Sequence, residues 1–514
     1  MVARPDDHAL RVDHLQGDLI GRSLRGGAIT FFAQGIKVAI QFGTVMVLSR
    51  LLPPQAFGLM AMIAALTEIF DQIKDFGLSA ATIQRTDITN EQVTALFWIN
   101  SALGSIVALL LFACAPLIAH FYGHAELIDV TRCLAVAFVF SGLTTQHWAL
   151  LRRQMRFRTI ASIDIGSETL GMAVAVAAAA SGVGLWALVA QRLAYSAAVM
   201  ISSWSASRWR PGMPRRCSGM KSLLVFGTSI TGHGIINILS RNIDQVLIGW
   251  YWGAVPLGLY ERAYKLLMSP TNNVTTPLYS VGMPMLSRLH GDHQRYRQVY
   301  ISISEKLAML TIPAAALMIV ASGQIVALLL GRQWHDAAPI VTWLGLAAAM
   351  IPVGVTTGLL FVTQDRTPEL FRVGALGSAI SVIAILIGLP HGPLGVATCF
   401  ALGSTLVRVP VSFWLAGRKG PVSVKDLYAS IAPSLVAGGV VLAAVAGLRH
   451  LSRIEAASPL LAMAIFLCAA IATALLTFVC IPRSRRALQS VGRLRSELFS
   501  YRAQRRAADG HFNS

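Results

Sequence analysis

Long apolar runs alternate with short polar connections along almost the whole chain. A helix rises about 1.5 Å per residue, so about 20 mostly apolar residues cross a hydrocarbon core of about 30 Å. Fourteen runs meet that length: 27–49, 57–80, 93–117, 130–150, 160–181, 184–206, 223–249, 257–285, 301–322, 337–362, 371–390, 393–416, 429–448 and 459–481. The first, second, seventh and eighth carry charges and are the weakest by hydropathy. No connection is long enough to hold a soluble domain. The pattern predicts an all-α integral membrane protein with 14 transmembrane helices.

Basic residues orient the spans, because loops that stay in the cytoplasm are enriched in Lys and Arg. With the N-terminus in the cytoplasm, inner segments hold 30 of the 43 Lys and Arg residues, counting Arg372 at the inner edge of run 371–390. Outer segments hold 4: Arg50, Arg332, Arg449 and Arg453. The clearest inner runs are Arg152, Arg153, Arg156 and Arg158, then Arg208, Arg210, Arg215, Arg216 and Lys221. A miscount of one span would exchange inner and outer loops downstream and erase the asymmetry. Both termini are therefore expected in the cytoplasm. The first 23 residues are polar and show no short apolar segment with a cleavage site, so the first span is expected to act as its own insertion signal.

The chain resembles itself at an offset of 200 residues. Pro54-Gln55-Ala56-Phe57-Gly58-Leu59-Met60 answers to Ala254-Val255-Pro256-Leu257-Gly258-Leu259-Tyr260. Spans 1 and 2 then map onto spans 7 and 8. Six spans per repeat is an even number, so the copies run parallel about an axis along the membrane normal. The expected organisation is a cytoplasmic N-tail (1–26), a first six-helix lobe (27–206), a basic inter-lobe loop (207–222), a second, pseudo-symmetric six-helix lobe (223–416), two extra helices (429–481) and a basic C-tail (482–514). Spans 13 and 14 carry no charge and read as a lipid-facing appendage.

Four spans carry polar stripes. Helical spacing puts Thr30, Gln34, Lys37, Gln41 and Thr44 on one face of span 1, and Glu68, Asp71, Gln72, Asp75 and Ser79 on one face of span 2. Span 7 lines up Ser229, His233, Asn237, Ser240 and Asp244, with Arg241 at the edge. Span 8 lines up Glu261, Arg262, Lys265, Ser269, Asn272, Asn273 and Thr276. Intramembrane charges are costly and usually face a water-filled cavity or one another. Single residues here serve equally as glue between helices, with Lys74 beside Asp71 and Arg241 beside Asp244 as local pairs. Taken together, the two matched helix pairs describe a hydrated cavity between lobes.

Composition agrees. Apolar residues make up 55%, charged residues 13%, and the mean hydropathy is +0.61, well away from the roughly 25% charged of a soluble domain. The net charge of +19 is explained by inner loops and a polybasic tail near anionic lipid rather than by nucleic acid. Six Cys show no CxxC spacing and read as buried free thiols. No P-loop and no HExxH occurs. Gly182-Val183-Gly184-Leu185-Trp186-Ala187 fits GxGxxA but lies in a turn between spans, with no preceding strand. His120, His124, Glu126 and Asp129 read as a solvated outer loop rather than a metal site. Enzymatic function and cofactors are not expected.

Several motifs have a family likeness. Leu51-Leu52-Pro53-Pro54-Gln55-Ala56-Phe57-Gly58-Leu59 and Asp75-Phe76-Gly77-Leu78-Ser79 form one set. Arg241-Asn242-Ile243-Asp244, Leu257-Gly258-Leu259-Tyr260-Glu261-Arg262-Ala263-Tyr264-Lys265-Leu266, Ser269-Pro270-Thr271-Asn272-Asn273, Pro284-Met285-Leu286-Ser287-Arg288-Leu289 and Leu330-Gly331-Arg332-Gln333-Trp334 form another. Over roughly residues 20–420 the chain resembles the bacterial polysaccharide transporters, the exopolysaccharide and O-antigen repeat-unit flippases. These belong to the multidrug/oligosaccharidyl-lipid/polysaccharide exporter superfamily.

The resemblance implies a two-lobed bundle in the bacterial inner membrane. It implies translocation of an undecaprenyl-pyrophosphate-linked oligosaccharide for exopolysaccharide or lipopolysaccharide biosynthesis, by alternating access. Polysaccharide polymerase and chain-length machinery are then expected partners, beside membrane lipids. Lys37, Arg241, Arg262 and Lys265, with Asn272 and Asn273, would hold pyrophosphate and sugar. Glu68, Asp71 and Asp75 would bind a coupling ion, proton or Na⁺, driven by its gradient. Two alternatives stay open: a cation-coupled multidrug antiporter, and a non-transporting membrane scaffold.

Overall fold

The computed structural model describes residues 19–75, 77–85, 88–213, 242–451, 459–487 and 489. Among them the regular structure is helical throughout, with no strand. The first block holds α1 (Leu19–Leu51), α2 (Pro54–Asp75), α3 (Leu78–Gln84), α4 (Asn90–Tyr122), α5 (Leu127–Arg153), α6 (Phe157–Ala180) and α7 (Trp186–Ser207). After it come α8 (242–252), α9 (Ala254–Ser287), α10 (His293–Val320), α11 (Ser322–Leu329), α12 (Ala338–Thr363), α13 (Thr367–Gly388), α14 (Gly392–Leu402), α15 (Val409–Gly417), α16 (Val424–Leu451) and α17 (Pro459–Cys480). A π-helical turn, Gly403–Arg408, joins α14 to α15.

Nine segments among the described residues are long and apolar enough to cross a membrane. One of them, Thr367–Gly417, contains two of the expected runs. The run at α7 falls short because Gln191, Arg192 and its hydroxyls lower its hydropathy. Most of run 223–249, with the stripe from Ser229 to Arg241, lies outside the described residues.

Two expectations need correction. Run 57–80 is not one rod: α2 stops at Asp75, Gly77 takes φ +65°, and Ser79 belongs to α3 rather than to the stripe on α2. The connection after α10 holds α11 and a 3-10 turn, Arg332–Ala337. Helix α16 is not an appendage. It packs along α10, where Leu427, Ile431, Ala437, Val441 and Val445 are buried, and a Cβ on Gly438 would stand 2.9 Å from Ile312. Its Asp426 takes a bidentate bond from Arg297 at 2.8 and 2.5 Å. The lack of charge within the span hid a face built for protein rather than lipid.

Two compact units emerge from the packing. Described residues up to Glu261, with Leu329–Gln333, form the first; Arg262–Leu328 and the described residues from Trp334 onward form the second. The division falls inside α9. In the first unit α4 and α5 cross closely at Gly104 and Gly142, where an added Cβ would meet the Phe138 and Asn100 carbonyl oxygens at 2.7 Å in each case. Such small-residue crossings let membrane helices approach without a hydrophobic driving force. At one end of this hairpin Phe97, Trp204 and Trp209 enclose the buried His147 ring. In the second unit α10, α12 and α16 share a core in which the Tyr296 and Tyr300 hydroxyls bond Thr363 at 2.6 Å and Thr356 at 3.1 Å.

Local geometry repeats between the units. Met155 and Asp365, both non-glycine residues at positive φ (+53° and +55°), precede Arg156 and Arg366. Arg156 donates to the Ala206 carbonyl at 2.8 Å, and Arg366 to the Ala416 carbonyl at 3.1 Å. The GxGxxA stretch is indeed a turn: Gly182 at φ +80° answers Gly392 at φ +77°. The repeated Pro54–Met60 and Ala254–Tyr260 segments also meet, as the first turns of α2 and α9 within the first unit. A Cβ on Gly58 would stand 2.5 Å from the Ala254 carbonyl carbon, and one on Gly258 would stand 2.9 Å from that of Pro54. Each copy's glycine thus seats on the other copy's first helical residue. Gln333 closes the same end, donating from Nε2 to the Ser49 carbonyl and, at 3.1 Å, to that of Leu52.

Candidate functional site

The polar stripe of α1 does not stand alone in the first unit. Lys37 Nζ pairs with Asp164 Oδ2 on α6 at 3.1 Å. The Tyr195 hydroxyl of α7 donates to Asp164 Oδ1 at 3.3 Å. Arg192, one turn before Tyr195, pairs through Nη2 with Asp71 Oδ2 of α2 at 3.5 Å. Glu168, one turn beyond Asp164, lies near the Gln41 side chain and within the field of Lys37 and Arg192. Spacings of three and four residues put each of these pairs on one helical face.

Four helices therefore bring two cations and three carboxylates together at membrane depth. Side-chain exposures of 21% and 29% for Lys37 and Asp164, and 49% and 32% for Arg192 and Asp71, exclude a sealed core. Charges that are both intramembrane and accessible face water or ligand, since lipid would strand them. At 3.1 Å and an effective dielectric of about 20, the Lys37–Asp164 attraction is roughly 5 kcal/mol before solvent screening. The cations are thus held, but by contacts that an anionic ligand can replace.

The other expected site residues distribute as follows. Glu68 is exposed on α2 and accepts from Asn242 Nδ2 at 2.6 Å. Asp75 is the last residue of α2. Arg262 and Lys265, half-buried and exposed, lie on α9 in the second unit, as do Asn272 and Asn273. Arg241 lies outside the described residues. Asp71 finds Arg192 as its partner. Asp244 accepts from the Tyr260 hydroxyl at 2.8 Å. The sequence reading gave no role to Asp164, Arg192 or Tyr195. Acids at i and i+4 on α6 and the Arg/Tyr pair at i and i+3 on α7 were the available signal.

The teichuronic acid biosynthesis protein TuaB of Bacillus subtilis is 28% identical over 306 residues, covering 59% of this chain and 63% of that protein. The lipopolysaccharide biosynthesis protein WzxC of Escherichia coli is 24% identical over 390 residues, covering 76% and 79%. The succinoglycan biosynthesis transport protein ExoT of Rhizobium meliloti is 28% identical over 313 residues, covering 61% and 63%. The chain thus spans less than two thirds of TuaB and of ExoT. Among solved structures, the lipid II flippase MurJ in an inward closed conformation superposes with a TM-score of 0.71 at 13% identity, covering 90% of this chain and 99% of that one. An inward-facing multidrug resistance transporter of the MATE family reaches 0.53 at 14% identity, covering 78% and 95%. These two likenesses establish the fold. The model of the family described as "Polysaccharide biosynthesis protein" matches residues 47–339, more than half of the chain, and the chain belongs to that family.

Proposed function

We propose that the protein is a flippase. It carries an undecaprenyl-pyrophosphate-linked oligosaccharide repeat unit across the bacterial inner membrane by alternating access, for exopolysaccharide or lipopolysaccharide assembly. The carrying observation is the accessible pair of salt bridges, Lys37–Asp164 and Arg192–Asp71. A pyrophosphate offers two negative groups and can take both cations through charge-assisted hydrogen bonds. Its greater charge roughly doubles the attraction that one carboxylate provides at the same distance. With no substrate, Asp164 and Asp71 keep the cations paired, so no lone charge is left at membrane depth.

In this reading the chain spans the membrane fourteen times with both termini in the cytoplasm, as the loop charges favour. Arg241, Arg262, Lys265, Asn272 and Asn273 serve sugar and pyrophosphate from the second half of the chain. Asp71 serves as a counter-ion rather than as a coupling site. The assignments of TuaB, WzxC and ExoT to surface-polysaccharide biosynthesis support the substrate class. Deleting the gene should make lipid-linked repeat units accumulate on the cytoplasmic leaflet. The wild-type gene should reverse this, and a Lys37→Ala/Arg192→Ala double variant present in the membrane should not. Full reversal by the double variant refutes the reading.

A further inference from the structure

One carboxyl differs from those in the salt bridges. Asp244 on α8 has 4% exposure, and Tyr260 on α9 has 0%. The Tyr260 hydroxyl donates to Asp244 Oδ2 at 2.8 Å, and the Gln245 backbone N–H donates to Oδ1 at 2.8 Å. Among the described residues no Lys, Arg or His forms an ion pair with it, whereas Asp164 and Asp71 each hold a cation.

Helix α8 packs through Gly249 against Leu257 of α9, Tyr122 of α4 and Met62 of α2. The titratable groups these elements bring to this region are Tyr260 and Glu261 on α9, Tyr122 on α4 and Glu68 on α2. Of these described groups, Tyr260 bonds Asp244, and Glu68 takes the Asn242 amide instead. Arg262, next in the chain, groups with the second unit.

A carboxylate shut away from water needs a cation or a proton as company. A phenol hydroxyl both donates and accepts. It can donate to the carboxylate, or turn and accept from the acid, so the Asp244–Tyr260 contact survives in either form. The step is simple addition: a proton from water joins the carboxylate to give the neutral acid, and leaves again to water. Tyr260 immediately precedes Glu261, the last residue of α9 that groups with the first unit, and the helix then continues into the second. A movement carried along α9 therefore acts on the turn that holds the phenol.

The geometry points to Asp244 as the proton-binding site that couples translocation to a proton gradient, with Tyr260 as its positioning residue. The coupling role rests on the transporter reading above; proton binding itself is read without substrate. Infrared difference spectra of the full chain in lipid nanodiscs, recorded between acidic and alkaline buffer, report the C=O band of a protonated carboxyl. A titrating band lost in Asp244→Asn, and retained but shifted in Tyr260→Phe, is expected. Spectra of folded Asp244→Asn identical to wild type overturn the proposal. So does a band that Tyr260→Phe leaves unmoved. In proteoliposomes Asp244→Asn should keep downhill exchange of lipid-linked oligosaccharide and lose its acceleration by a pH gradient; undiminished acceleration overturns the coupling. A wild-type protein that titrates at Asp244 but moves no lipid-linked oligosaccharide refutes the substrate reading, while its band upholds the proton site.

Discussion

Replacing Gly58 by alanine tests the crossing of α2 and α9 with a single methyl group. The added Cβ would stand 2.5 Å from the Ala254 carbonyl carbon, with the carbonyl oxygen nearer still. Ordinary contacts begin at 3.4 Å, so the two helix starts must part by at least about 0.9 Å. Backbone carbonyls cannot swing aside as a side chain can. Overpacking of this kind costs about 1–3 kcal/mol. Gly258→Ala demands a smaller shift, at least about 0.5 Å from its 2.9 Å approach to the Pro54 carbonyl carbon. Gly35 on α1 has nothing within 4 Å of its added Cβ, and alanine there should gain helix propensity, by up to about 1 kcal/mol. Thermal unfolding of purified protein in detergent should rank Gly35→Ala at or above wild type, then Gly258→Ala, then Gly58→Ala. A maleimide that cannot cross the membrane should label a cysteine placed at the buried Ser49 faster in Gly58→Ala than in its wild-type background. Equal melting temperatures and equal labelling rates for all of them would refute the close crossing.

Reversing one partner of Lys37–Asp164 leaves like charges 3.1 Å apart, so Lys37→Asp and Asp164→Lys should each destabilise the protein, while the double exchange restores melting temperature; thermal shift of the three variants checks this. Gln333→Ala removes two hydrogen bonds to the Ser49 and Leu52 carbonyls, about 1–3 kcal/mol together. It should raise maleimide labelling of the Ser49→Cys variant without changing the amount of protein in the membrane. Arg366 binds the Leu415, Ala416 and Lys419 carbonyls besides Glu369, whereas its counterpart Arg156 binds the Ala206 carbonyl. Lysine lacks the planar fork such multiple bonding uses, so Arg366→Lys should lower the melting temperature more than Arg156→Lys.

Apolar run length located most of the described helices, because every buried backbone group in a bilayer must be satisfied within its own segment. It failed where local backbone conformation decides the outcome: an apolar Phe76 beside Gly77 gave no hint that α2 ends at Asp75. It failed again at α16, whose chargeless span conceals a face complementary to α10. The repeat at Pro54 and Ala254 was legible as similarity, but not the reciprocal seating of Gly58 and Gly258. The candidate site was half legible. Periodicity found Lys37 and Asp71 as members of stripes. Their partners Asp164 and Arg192 lie 127 and 121 residues away along the chain, and no local pattern carries that pairing.

The most direct test of the account is translocation by the purified chain in proteoliposomes. An undecaprenyl-pyrophosphate-linked oligosaccharide would be placed in one leaflet, and its arrival in the other read by a reagent that cannot cross the bilayer. The account predicts transport by the wild-type chain, loss of transport in the folded Lys37→Ala/Arg192→Ala variant, and poor transport of a polyprenyl glycoside that lacks phosphate. Equal movement of the phosphate-free lipid, or undiminished transport by the double variant, would contradict it.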